Sequence, residues 1–214
     1  MSEDTIEKLL LLTLGWLLGM LGPVVTEAIK KCRENRQVKV ALAAELQEVS
    51  YKLALASYII KVHFGTVDRP YLQWLQRVTA SYKGPSLVAT TQASIEIQIG
   101  LPESQLAALV KSQAEVEGQN IVTQKIIVPL LDARVASLWY LENNIQILLL
   151  DIRSNINLLN ELVDQARYYT GLTFTKLEGR NHELVVGNLA GCHEQYTERA
   201  TIIVTKIEKL RSLL

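Results

Sequence analysis

The chain has 214 residues, 49% of them hydrophobic, with 22 basic against 22 acidic side chains and a mean hydropathy of +0.14. A balanced charge removes the global field that would draw in duplex nucleic acid or another polyanion. Two cysteines, Cys32 and Cys192, make no disulfide framework, and five prolines with no low-complexity tract exclude an extended disordered chain.

Residues 1–8 form a short acidic start, and the segment after them is the most apolar of the chain. From Leu9 to Thr26 no residue is charged and eight are leucine. As a helix this run is roughly 27 Å long, close to the hydrocarbon thickness of a bilayer. Its leucines and valines favour insertion by roughly 3–6 kcal/mol, less the cost of the glycines, Thr13 and Pro23. The alternative is a buried helix of a soluble core, but a half-buried helix carries a polar face and this one is apolar all round. A cleaved signal peptide needs a basic start and a small-residue cleavage pattern, and neither is present. We therefore expect a transmembrane helix over 9–29, with Pro23 bending its exit. Lys30, Lys31, Arg33, Arg36 and Lys39 follow it, in a basic juxtamembrane segment over 30–39, while Lys8 alone precedes it. By the positive-inside tendency the N-terminus lies outside the cell (inner) membrane and residues 40–214 form a cytosolic helical domain.

Gly15, Gly19, Gly22 and Thr26 recur at spacings of four, three and four. That places small residues on one stripe, where backbones approach closely in lipid. With one span per chain, the partner helix comes from another subunit, so a homo-oligomer is expected. Glu3, Asp4 and Glu7 at one end and Glu27 at the other would charge the mouths of any pore such spans enclose.

Downstream, apolar or small residues at 42, 46, 49, 53, 56 and 60 alternate by four and three, predicting a helix with a coiled-coil-like seam. Residues 64–70 break it, and Asp68 is placed to cap a short helix over 69–82 carrying Leu72, Trp74, Leu75 and Val78. Over 86–100, Ile95, Ile97 and Ile99 alternate as in a short strand, with an ordered loop as the alternative. Pro102 suits the first position of a helix reaching about Gly118. A long helix over about 120–170, bent at Pro129, is predicted by Leu131, Val135, Leu138, Ile145, Leu149, Ile152, Ile156, Leu159, Val163 and Ala166, with Glu142 the one lapse. It ends at Gly171. The last helix, over about 181–212, buries Val185, Leu189, Tyr196, Ile203, Ile207 and Leu210. Helices this long must pack along others, which makes the fold all-α: an N-terminal transmembrane helix followed by an elongated helical bundle.

No catalytic constellation stands out, so no enzymatic activity, cofactor or metal is expected. Cys192 and His193 lack zinc-ligand spacing. His193 beside Glu194, and His182 between Asn181 and Glu183, are neighbours that a solvated helix surface offers routinely. Asn155, Asn157 and Asn160 suit hydrogen bonding between helices, Trp74, Trp139 and Tyr140 suit the core, and Tyr168 and Tyr169 close a helix end.

A short acidic N-terminus, one span and a helical body of about 185 residues give a layout that resembles the small transmembrane effectors of bacterial anti-phage defence, notably the Hailong-type effector. The resemblance implies an ion-conducting assembly whose cytosolic region binds a nucleotide or oligonucleotide made by a partner nucleotidyltransferase. It carries no diagnostic motif, so the ligand-binding residues are left open. The other function that this architecture suits is a membrane-tethered adaptor or scaffold showing a helical surface to a protein partner.

Overall fold

A computed structural model describes the backbone of residues 3–82, 87–114, 121, 123–176 and 179–213, with side chains for these except 3–10 and 87–89. The described residues hold seven α-helices and one 3-10 helix joined by short irregular segments, and no strand occurs among them. The chain divides into two compact units, Met1–Ala41 and Leu42–Leu214, and helix α1 (Glu3–His63) contributes to both.

In the first unit α1 is helical through Pro23. Proline has no N–H to offer the carbonyl four residues back, here that of Gly19, so one backbone bond is missing inside the apolar run. The leucines at 11, 12, 14, 17, 18 and 21 are all exposed. The helix carries no charge between residues 11 and 26, and none of its most apolar 18-residue window, with a mean hydropathy of 1.5, is buried.

The second unit has a conventional core. Leu42, Leu46, Val49, Leu53, Ala54, Ser57 and Ile60 of α1 are buried, so the seam drifts one position from the expected Ala56 to Ser57. That drift is what a straight helix of 3.6 residues per turn does to a 3.5-residue repeat. At its end Thr66 N–H donates to Lys61 O (2.8 Å) and Gly65 N–H to Val62 O (3.0 Å). This Schellman closure needs left-handed backbone at Gly65, whose φ is +65°. Asp68 then caps α2 (Arg69–Ala80), its Oδ1 accepting from Tyr71 N–H at 2.8 Å. Leu72, Leu75 and Val78 of α2 are buried, and Trp74 is half-buried.

Residues 87–100 are neither strand nor loop: they form α3 (Leu87–Gly100). The isoleucine alternation misleads because Ile97 is exposed while Gln98 takes a buried place on the helical stripe with Ile95. Gln98 is satisfied there by Tyr58, Nε2 donating to the phenol at 2.7 Å, and Gln92 donates to Thr79 O at 3.0 Å. Polar residues on the inner face erase the apolar period that a sequence reading depends on. Pro102 stands just before α4 (Glu103–Ala114), its carbonyl accepting from Leu106 N–H at 2.9 Å; residues 115–118 of the expected helix lie outside the described residues.

The expected 120–170 helix is three pieces. Residues 123–128 are not helical, α5 (Pro129–Arg134) and a 3-10 helix (Val135–Tyr140) follow, and α6 (Asn143–Thr173) begins after a break. The lapse at Glu142 marks that break: Leu141 is extended (φ −87°, ψ 166°), and Glu142, also extended (φ −62°, ψ 144°), occupies the N-cap position of α6. Pro129 opens α5, and the next two N–H groups, of Leu130 and Leu131, donate to the Glu45 carboxylate at 2.8 and 2.9 Å. A carboxylate from α1 thus fixes where the helix starts. Because the break shifts the phase by little, Leu138, Ile145, Leu149, Ile152, Ile156, Leu159, Val163 and Ala166 are all buried as the spacing predicts. Helix α6 runs past Gly171 to Thr173.

Helix α7 (Gly179–Arg211) is antiparallel to α6, since Asp151 meets Lys206, Asn155 meets Arg199 and Gln165 meets Cys192. The two form the most extensive helix pair of the unit. Val185, Tyr196, Ile203, Ile207 and Leu210 are buried, whereas Leu189 is half-buried. Trp139 and Tyr140 are exposed rather than core, because the 3-10 helix turns its aromatic end outward.

Candidate functional site

The first candidate is the apolar segment itself. Gly15, Gly19 and Gly22 have no heavy atom within 4 Å of where a Cβ would stand, so the stripe is open to a neighbouring helix. Thr26 closes its own hydroxyl onto Gly22 O at 2.8 Å, which keeps the stripe's last polar group satisfied without water. Glu27, Lys30, Lys31, Arg33 and Arg36 are exposed and Lys39 is half-exposed. The carboxylates of Glu3, Asp4 and Glu7 lie outside the residues whose side chains are described.

The second candidate is a groove of about 570 Å³ in the body, between α1 and a wall that runs from Thr123 to Pro129. One wall carries Glu45, Glu48, Lys52 and Ile59, the other Thr123, Lys125 and Ile127, with Tyr196 of α7 also lining it. Asn160 holds the second wall in place: Ile126 N–H donates to its Oδ1 and Ile126 O accepts from its Nδ2, both at 2.8 Å. The asparagine amide thus replaces a neighbouring strand. Asn155 also works across helices, accepting from Arg199 Nη1 at 3.0 Å and donating to Asp151 Oδ1 at 2.9 Å. Burial pushes the Tyr196 phenol up to about 12, so it is a neutral hydroxyl near pH 7.

His193, expected on a solvated surface, is buried. Its Nε2 has no hydrogen-bond partner among the described residues, and its ring lies 5.9 Å from that of Phe64, which is in turn edge-on to His63. Burial, then the nearby His63, lowers the pKa of His193, so the neutral form is favoured. Cys192 is also buried, which raises its thiol. His182 and Tyr168 are exposed. A second cavity, of about 500 Å³, lies beside this cluster between Phe64 and Gly191.

The groove and the burial of His193 were missed in the sequence. The pairing that builds the groove joins Ile126 to Asn160, 34 positions apart, and no local pattern encodes that. Comparison with protein-family models, curated proteins and solved structures finds no match to the chain.

Proposed function

We propose that the chain is a single-pass membrane protein whose apolar helix docks against copies of itself through Gly15, Gly19, Gly22 and Thr26. In this reading residues 30–214 lie in the cytosol, and a ring of such helices forms a pore gated through the helical body by a bound nucleotide ligand, as the effector resemblance implies. The observation that supports the membrane assignment is the contrast within α1: the leucines from 11 to 21 are exposed and none of the apolar window is buried, which water would penalise by about 1.5–3 kcal/mol per side chain relative to burial. Lipid removes that penalty, and the open glycine stripe supplies a contact surface.

An adaptor that binds a protein partner without conduction is the second reading. It is favoured by Ile147 and Leu150, one turn apart and exposed on α6, and by exposed Trp139 and Tyr140 just ahead of them. Mass determination of the full-length protein in detergent, with ion flux from liposomes that contain it, separates the two. A pore effector is oligomeric and conducts when its ligand is supplied. An adaptor leaves the liposomes sealed, and a detergent monomer excludes the homomeric pore. Gly19→Leu is expected to reduce the oligomer to monomer while leaving the body folded.

A further inference from the structure

The groove of the body carries three kinds of unmet bonding capacity in one place. The first is main-chain. Burial alternates along residues 125–128, with Ile126 and Val128 in and Lys125 and Ile127 out, a two-residue period as in extended backbone that ends where Val128 (φ −129°, ψ 66°) turns into α5. Ile126 spends both its N–H and its C=O on Asn160. In extended backbone the groups of the adjoining residues point to the opposite edge, and among the described residues those of Lys125 and Ile127 have no hydrogen-bond partner. The second is a hydroxyl: Tyr196 lines the groove, is 2% exposed and makes no hydrogen bond among the described residues. The third is apolar, since Ile59 (59% exposed) and Ile127 (77% exposed) present uncovered side chains on its two walls.

Two acids and two lysines line the groove. Glu45 is committed to the backbone of Leu130 and Leu131, which leaves Glu48 against Lys52 and Lys125. Both lysines are held by exposed carboxylates, Glu48 at 2.6 Å and Asp164 at 2.6 Å. Pairs of that kind contribute little and exchange readily.

We infer that this groove binds an extended peptide segment of a partner protein by strand addition along residues 125–127. The peptide brings alternating N–H and C=O groups to the open edge, apolar side chains at every second position to Ile59 and Ile127, and an acidic residue to Lys52 or Lys125. A second copy of the same surface does not fit, because a contact between identical patches must be self-complementary and two concavities are not. The inference stands independently of where the N-terminal helix lies.

The test is a displayed library of random short peptides panned against the full-length protein in detergent micelles, with the selected sequence resynthesised. The expected result is enrichment of peptides that alternate apolar residues and carry an acidic one. N-methylation should weaken binding at alternate amides and leave the intervening ones unaffected, which is the mark of one paired edge. Tyr196→Phe keeps the ring and should weaken binding by up to about tenfold; Ile59→Glu, at an exposed position, should abolish it with the helical circular dichroism unchanged. No enrichment, or selected peptides that bind equally well after N-methylation at every position or to Ile59→Glu, would overturn the proposal.

Discussion

Helix α1 contains two populations of leucine. Leu12 is 77% exposed, whereas Leu53 on the same helix is fully buried. The residue type and local conformation are the same, so helix propensity does not distinguish them. What differs is the sequence around each. Leu53 belongs to a four-three seam with polar residues between, so one stripe is buried and the rest meets water. Leu12 stands among apolar neighbours on every side, so no orientation would bury it against a single protein face. The comparison teaches that a uniformly apolar helix without a protein cover specifies its solvent, and that the patterned one specifies its neighbours.

Substitutions test this contrast from both sides. The largest effect is expected in the body: Leu149→Ala, at 1% exposure between α6 and α7, should cost about 2–5 kcal/mol in urea unfolding. Leu17→Ala should leave the unfolding of the body unchanged. A loss of body stability at Leu17 equal to that at Leu149 would mean that the apolar segment is packed like a core. Next, Leu18→Arg places a charge at the centre of the apolar run, at about 2.5–3.5 kcal/mol against insertion, and should move protein from the membrane fraction to the soluble one. Ile147→Arg, on an exposed position of α6, should shift neither partitioning nor stability by more than about 0.5 kcal/mol.

Much of the body was legible in the sequence because its packing uses the spacing that a sequence displays. The α6 residues from Ile145 to Ala166 are buried in the expected register, and Asp68 caps α2 as its position before Pro70 suggests. Helix α3 was illegible because Gln98 is buried and Ile97 is not, an inversion that a partner 40 positions away, Tyr58, makes affordable. The break before α6 hid behind an apolar register that continues across it, with Glu142 as the one local sign. The glycine stripe was plain from its spacing. His193 could not be placed, since its neighbour Glu194 is exposed and burial follows from the approach of Phe64, 129 positions earlier in the chain by their numbering.

Two further effects test the body alone. Asn160→Ala removes both hydrogen bonds to Ile126 and should cost about 1–3 kcal/mol, with faster amide exchange at Ile126. The pH dependence comes from His193. Its folded pKa is lowered, first by burial and then by His63, so the unfolded chain takes up a proton at higher pH than the folded one. Stability from this group is therefore complete above the unfolded value of about 6.5 and declines as pH falls toward the lower folded value. Melting temperature followed through that window should drop on acidification, and His193→Phe should flatten the drop. An equal drop in that variant would place the titration elsewhere.

The most direct measurement is where the full-length chain goes when cell membranes are sedimented and washed in alkaline carbonate. An apolar helix held in lipid keeps the protein in the washed pellet until detergent releases it. Recovery of the intact chain in the supernatant, folded and without detergent, would contradict the membrane assignment on which the proposed self-association depends.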